Sequence, residues 1–148
     1  MMKRLAVLAL LAACSAPEPR EEAPQFDRSA GFEALLNDTR AEAGLPPVSA
    51  APRLAAAAGD HAADMAEEQF ISHTGSDGSD ILERMGGRGY AACRGAENIA
   101  AQPQDKPALM AQWMDSPDHR ANILRDGVSE FGLSRVDQYW VLKLAEPC

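Results

Sequence analysis

The order of the hydrophobic patterns predicts an α+β domain. Runs with helical spacing fill most of the chain, and two alternating, β-rich runs, Glu130–Val136 and Tyr139–Leu144, come late. Helices first and strands last argue against a regular βαβ repeat. With 148 residues the chain makes one domain with one core. Alanine supplies 28 of the residues, so the helices are expected to pack closely over small side chains. Phe32, Phe70, Tyr90, Trp113, Phe131 and Trp140 are expected to fill most of the bulk.

The first element stands outside the fold. "MMKR" is a basic start and "LAVLALLAA" an apolar stretch too short to span a bilayer, the pattern of a secretory leader. It ends in "LAAC", which resembles the lipobox of bacterial lipoproteins, where cleavage precedes the cysteine and lipid is attached to it. Residues 1–13 are then a signal peptide and Cys14 is the lipidation site. Removing the leader takes away Lys3 and Arg4 and deepens the formal charge from −8 to −10. Residues 14–25 are Cys14 followed by "SAPEPREEAPQ", which has three prolines, four charges and no apolar periodicity. They read as a stiff solvated tether that holds the domain, residues 26–148, roughly 30 Å from the membrane.

Within the domain, Phe32, Leu35, Leu36 and Thr39 recur on one helix face between Phe26 and Ala43, and Gly44, Pro46 and Pro47 stop that helix. Ser49 is expected to cap a second helix, with Pro52 in its first turn and Leu54, Ala58, His61 and Met65 on one stripe to about Glu68. "SHTGSDGS" is a turn cluster. Asp80 and Glu83 form a capping pair for a short third helix with Ile81, Leu82 and Met85 inward. Asn98–Ala101 fits strand or helix alike. Asp105 caps a fourth helix, Lys106–Met114, which buries Leu109 and Trp113. Ser116 and Pro117 then open another helical turn containing His119. The two late runs, separated by Asp137 and Gln138, form a hairpin.

Charge and cysteine count narrow the function. A strongly acidic chain lacks the basic face that nucleic acid requires. Three cysteines are an odd number for an exported chain. If Cys14 carries lipid, Cys93 and Cys148 remain and can pair in an oxidising compartment. The bridge would close a loop of about 56 residues and contribute about 4 kcal/mol in the chain-entropy account. The alternative, a nucleophilic Cys93, needs a lowered thiol pKa and a partner base.

Each histidine has a bland reading and a functional one. His61 lies on an apolar stripe and reads first as a core histidine bonded to its neighbours. His73 sits in the turn cluster beside a helix end, where site residues concentrate. His119 lies in a first helical turn, where the dipole favours the neutral ring, while Asp118 pulls the other way.

"HAADMAEEQFISHTGSDGSD", "AENIA" and "WMDSPDHRANIL", in that order, resemble the bacterial branch of the CAP superfamily, the SCP domain of cysteine-rich secretory, antigen 5 and pathogenesis-related proteins. The resemblance covers Phe32 to Leu144 and implies an α-β-α sandwich with a central antiparallel sheet between helical layers. It also implies a cleft lined by two histidines and two glutamates that in some members holds a divalent cation such as zinc. By motif, His73, Glu97 and His119 take three of those positions. The second glutamate falls at Ser116. Two further departures are Ala96, where glycine is usual, and Asp118. Two imidazoles and one carboxylate suit zinc with a water in the fourth position, a set also used by hydrolases. The alternative is a metal-free cluster with both histidines bonded to Glu97. Asn98 and Asn122 are expected to bond loop backbone.

Three functions follow as expectations. The first is a binding module on the envelope for a lipid, glycan or protein ligand, membrane-anchored through Cys14 and not an enzyme. The second is a metal-dependent hydrolase of peptide, ester or envelope polymer, although the chain has no HExxH or GxSxG. The third is a structural envelope protein with a vestigial cleft.

Overall fold

In the computed structural model the described residues are 31–148; the leader, Cys14 and the tether lie outside them. The order is α1 (Phe32–Glu42), β1 (Ser49–Ala50), α2 (Pro52–Glu68), α3 (Ile81–Gly87), β2 (Ala92–Ala101), α4 (Lys106–Asp115), α5 (Pro117–Ile123), β3 (Glu130–Val136) and β4 (Tyr139–Pro147). The four strands lie in the order β1-β3-β4-β2. The β3–β4 and β4–β2 pairs are antiparallel, and β1 adds two residues in parallel to β3.

The late hairpin forms in the expected register, with Val136 opposite Tyr139 across Asp137 and Gln138. Asp137 takes a left-handed backbone, φ 52°, as two-residue hairpin turns demand. Asp80 and Glu83 build a complete capping box on α3, and Asp105 caps α4 through Ala108 N. Ser49 is a correction. Its backbone is committed to β1, with Ser49 N bonded to Ser129 O, so the cap position of α2 passes to Ala51. Pro52 keeps its place as the first helical residue.

Period-two alternation along the strands makes the layers. Trp140, Leu142 and Leu144 of β4 join Ala96, Ala100, Phe131 and Leu133 under Phe32 and Leu36 of α1, Leu109 and Trp113 of α4 and Ile123 of α5. Tyr139, Val141 and Ala145 face the other way, against α2 and α3 through Leu54, Ala58, Ala62, Met65 and Met85. Helices on both faces of one sheet give the expected sandwich. Phe32, Trp113, Phe131 and Trp140 are buried as expected, with Phe32 meeting the Trp113 ring at 6.4 Å and 83°. Phe70 is half-buried.

The alanine-rich α2 lies close on the sheet, and one glycine permits it. A Cβ on Gly132 of β3 would collide with the backbone of Leu54 and Ala55, the close approach that glycine inside a strand signals. Beside it, Ser134 Oγ donates to Ala55 O at 2.7 Å. Cys93 and Cys148 form a disulfide. It ties the end of β4 to β2, where Cys148 N also bonds Ala91 O at 2.9 Å.

Candidate functional site

The site gathers on β2, the edge strand beside β4. Alternation sends Glu97 and Ile99 of β2 toward α2 and α3, and Ala96, Asn98 and Ala100 toward α4 and α5. Glu97 is 2% exposed. A buried carboxylate is costly unless it is paired and hydrogen-bonded, and Glu97 is heavily paired. Oε1 accepts from His73 Nδ1 at 2.9 Å and Arg84 Nη2 at 3.2 Å. Oε2 accepts from Lys143 Nζ at 2.5 Å and Arg84 Nη2 at 3.1 Å. Burial alone would push this carboxyl up. The hydrogen bond from His73, then the charge and hydrogen bond of Lys143 and the charge of Arg84, outweigh burial and bring it to about 2.

His73 leaves the loop after α2 and is half-exposed. Because ionised Glu97 only accepts, a proton sits on His73 Nδ1, and in the neutral ring Nε2 is then the acceptor. The loop is anchored behind it. Arg84 Nη2 donates to His73 O at 2.7 Å and Arg84 Nη1 to Ser79 O at 2.6 Å. Asp64 holds Ser76 through its backbone N–H at 2.9 Å and through its hydroxyl. Ser72, the chain neighbour of His73, turns its hydroxyl to accept from Thr74 N at 3.0 Å, so it is not placed as a nucleophile for that ring.

His119 comes from α5 on the opposite face of the sheet. Asn98 Nδ2 donates to His119 O at 3.0 Å, and Asn122 Nδ2 donates to Asn98 Oδ1 at 2.9 Å and Glu97 O at 3.2 Å. Both asparagines bond backbone, but of helix α5 and strand β2 in place of the expected loop, and sew α5 to β2. Burial lowers the His119 pKa first, nearby His73 lowers it further, and Asp118 opposes both. The ring is neutral at physiological pH, with burial as the leading cause. His119 Nδ1 is buried without a hydrogen-bond partner among the described residues. His73 and Glu97 thus meet directly, while His119 joins them through the Asn98–Asn122 bridge.

The sequence reading missed Lys143 and Arg84. Lys143 is fully buried on a strand whose other inward residues are apolar. One signal was available: alternation places Lys143 on the same face as Val141 and Ala145, a charge that needs a partner. His61 was half anticipated. Its Nε2 donates to Ser72 O at 2.8 Å and lies 3.8 Å from Glu97 Oε1, while its Nδ1 has no hydrogen-bond partner among the described residues. Burial chiefly lowers its pKa. Beside it a cavity of about 740 Å³ opens between α2 and α3, with Asp60, His61, Asp64, Ser76, Glu83 and Arg84 in its wall.

These residues do not fit a divalent cation bound through Glu97. A carboxylate offers about four lone-pair positions, and here four contacts from three cationic or imidazole donors use them. Glu97, Arg84 and Lys143 together also carry a net positive charge, which repels a metal ion. Among the described residues no group of three or more His, Cys, Asp or Glu is arranged to hold one.

Among known proteins, the Cysteine-rich secretory protein family (CAP) model matches residues 33–142. The uncharacterized protein YkwD of Bacillus subtilis (strain 168) is 26% identical over 103 residues, covering 70% of this chain and 40% of that protein. An extracellular protein containing a SCP domain from Bacillus anthracis str. Ames matches with a TM-score of 0.76 at 25% identity, over 78% of this chain and 39% of that one. The chain thus spans about two fifths of the length of each of these relatives. An outer surface protein from Borrelia burgdorferi matches with a TM-score of 0.75 at 15% identity, over 85% of this chain and 100% of that one, a likeness of fold.

Proposed function

Because the chain belongs to the cysteine-rich secretory protein (CAP) family, we propose that it is a ligand-binding module held outside the cytoplasm by lipid on Cys14, and that its cleft recognises a ligand without transforming it. The observation that carries this reading is the saturation of Glu97. A carboxyl held at about 2, with its lone pairs engaged, is a poor general base near neutrality, where a catalytic base is poised close to the working pH. Its role is to hold His73. The pinned Nδ1 leaves Nε2 as an oriented acceptor at the cleft mouth, and the neighbouring cavity is within the range of small-ligand sites. Lipid, glycan and protein are the ligand classes that follow from envelope display. The leader, the "LAAC" stretch and the extracellular description of the Bacillus anthracis relative support export.

One observation favours a second reading. A histidine whose Nδ1 is paired with a carboxylate is the orienting half of a hydrolytic triad. A hydrolase would need a nucleophile or an activated water at His73 Nε2.

The test uses the full chain in detergent. Hydrolysis of p-nitrophenyl esters, casein and peptidoglycan is measured beside His73→Ala, and binding is measured on lipid and glycan panels beside His119→Ala. The binding reading expects no turnover above the His73→Ala level and at least one ligand class retained by both proteins. Turnover that His73→Ala abolishes would replace it with the hydrolase. Metabolic labelling with a radioactive fatty acid, present in wild type and absent in Cys14→Ser, tests the anchor.

A further inference from the structure

We infer that the cavity between α2 and α3 takes an uncharged, hydroxyl-rich ligand, an oligosaccharide in place of a lipid or an apolar peptide; this rests on the binding reading above and narrows its ligand class. Two observations carry it. The first is the make-up of the wall. Asp60, His61, Asp64, Asp77, Glu83 and Arg84 line the cavity with serines, glycines and Arg88, and among the described residues no apolar side chain does. Sites that take apolar ligands are lined mostly by apolar and aromatic groups, so a lipid chain would meet only charges here. The carboxylates are held in place by backbone. Ser76 N donates to Asp64 Oδ2 at 2.9 Å, Ser79 N to Asp77 Oδ1 at 2.8 Å and Asp80 N to Glu83 Oε2 at 2.9 Å. A carboxylate has about four acceptor positions, so each of the three keeps some for a ligand. Hydroxyl groups donating to carboxylates make strong, charge-assisted hydrogen bonds.

The second observation is a pair of unpartnered polar atoms in the same wall. The His61 side chain is fully buried. Its Nε2 donates to Ser72 O, so in the neutral ring Nδ1 is an acceptor. Nδ1 faces Asp64 Oδ2, another acceptor, at 3.9 Å and has no hydrogen-bond partner among the described residues. Arg84 Nε is the converse, a buried donor without an acceptor, while the other nitrogens of that guanidinium serve Ser79, His73 and Glu97. The wall therefore lacks one donor and one acceptor, and a hydroxyl group can act as either. An ammonium ligand would answer His61 and leave Arg84 Nε unanswered. An anion would do the reverse, against four carboxylates and two guanidinium groups.

The experiment titrates tri-N-acetylchitotriose, maltotriose and cellotriose, all uncharged, into the full chain in a detergent without a sugar headgroup. Saturation-transfer difference NMR at neutral pH reads the binding. Spermidine and heparin are the comparison probes, a polycation and an anionic glycan. His61→Phe removes the unpartnered acceptor. Gly87→Leu fills the cavity from its wall, because Gly87 lines it and an added Cβ meets nothing within 4 Å. This second variant keeps the test decisive if His61→Phe does not fold, which circular dichroism checks. The expected result is saturable binding of at least one trisaccharide, weakened at least about tenfold in each folded variant, and no saturable binding of heparin. Absence of trisaccharide binding overturns the inference, and so does trisaccharide binding that a folded variant retains undiminished. Binding of spermidine, heparin or the lipid panel without any trisaccharide overturns the ligand class and leaves the binding-module reading standing. A chain that binds no probe of any class loses both.

Discussion

Glu97 and Lys143 face each other across the β2–β4 pair and meet at 2.5 Å with neither side chain reaching solvent. They are separated by 46 residues in sequence, yet strand register leaves their side chains no other place to go. Around this contact the site is assembled. Arg84 and His73 approach the same carboxylate from the loop side, and Asn122 ties Glu97's own carbonyl to α5.

Such a pair should behave as one unit. Lys143→Met leaves a buried carboxylate with one full cation fewer and is expected to cost about 3 kcal/mol of unfolding free energy. Lys143→Met combined with Glu97→Gln should cost less than the two single changes added together, by about 1 kcal/mol or more. Urea unfolding of the four proteins measures it. Additive costs would mean that the contact has no energetic identity of its own.

The pH dependence follows from the same carboxylate. The Glu97 carboxyl lies at about 2 in the fold, below its ordinary 4.5. Above 4.5 it is ionised in both folded and unfolded chains, and its stabilisation is fully present. As pH falls through 4.5 the unfolded chain takes up the proton first, and the contribution drains away until pH reaches about 2. The loss is on the order of 3 kcal/mol. His61 and His119 act at a higher pH. Burial chiefly lowers both from 6.5, so below 6.5 the unfolded chain binds protons that the fold resists, and stability declines further. Denaturation midpoints followed from neutrality into acid should therefore fall in two steps. Glu97→Gln should flatten the lower step and deepen the upper one, because the Glu97 charge is what opposes burial at His61.

Gly132 sets the distance between α2 and the sheet. Gly132→Ala places a methyl group against helix backbone, which cannot yield as a side-chain tip would. The expected cost is about 3 kcal/mol, read as a lowered thermal midpoint. A midpoint equal to wild type would show that α2 can lift from β3 without penalty.

The disulfide fastens the last residue of the chain to β2. Cys148→Ser should lower stability by about 4 kcal/mol in the chain-entropy account. Reduction of the wild type should lower it by the same amount, and reduction of the variant should change nothing further. A reduced wild type as stable as the oxidised protein would place the stabilisation in β-pairing alone.

Much of this protein was legible in its sequence. The helical stripes, apart from Leu82 of α3, which is exposed where it was expected inward, the Asp80 and Asp105 caps and the late hairpin depend on neighbours within a few residues, so local spacing reveals them. The ordered motifs named the family and with it the sandwich, and they pointed to His73, Glu97 and His119, of which the fold brings His73 and Glu97 into direct contact. Elements whose geometry depends on distant partners were not legible. Ser49 looked like a cap until β3 claimed its backbone. β2 was seen only as Asn98–Ala101, because a strand buried on both faces and interrupted by Glu97 shows no clean alternation. Above all, the state of Glu97 was undecided. As part of a two-imidazole, one-carboxylate set it could have served a metal, a proton transfer or a polar cluster. Tertiary structure decided which partners reach it, because strand register alone brings Lys143 to its side and loop closure alone brings Arg84. A carboxylate's chemistry is set by the charges that share its burial, and those charges come from parts of the chain that sequence proximity does not connect.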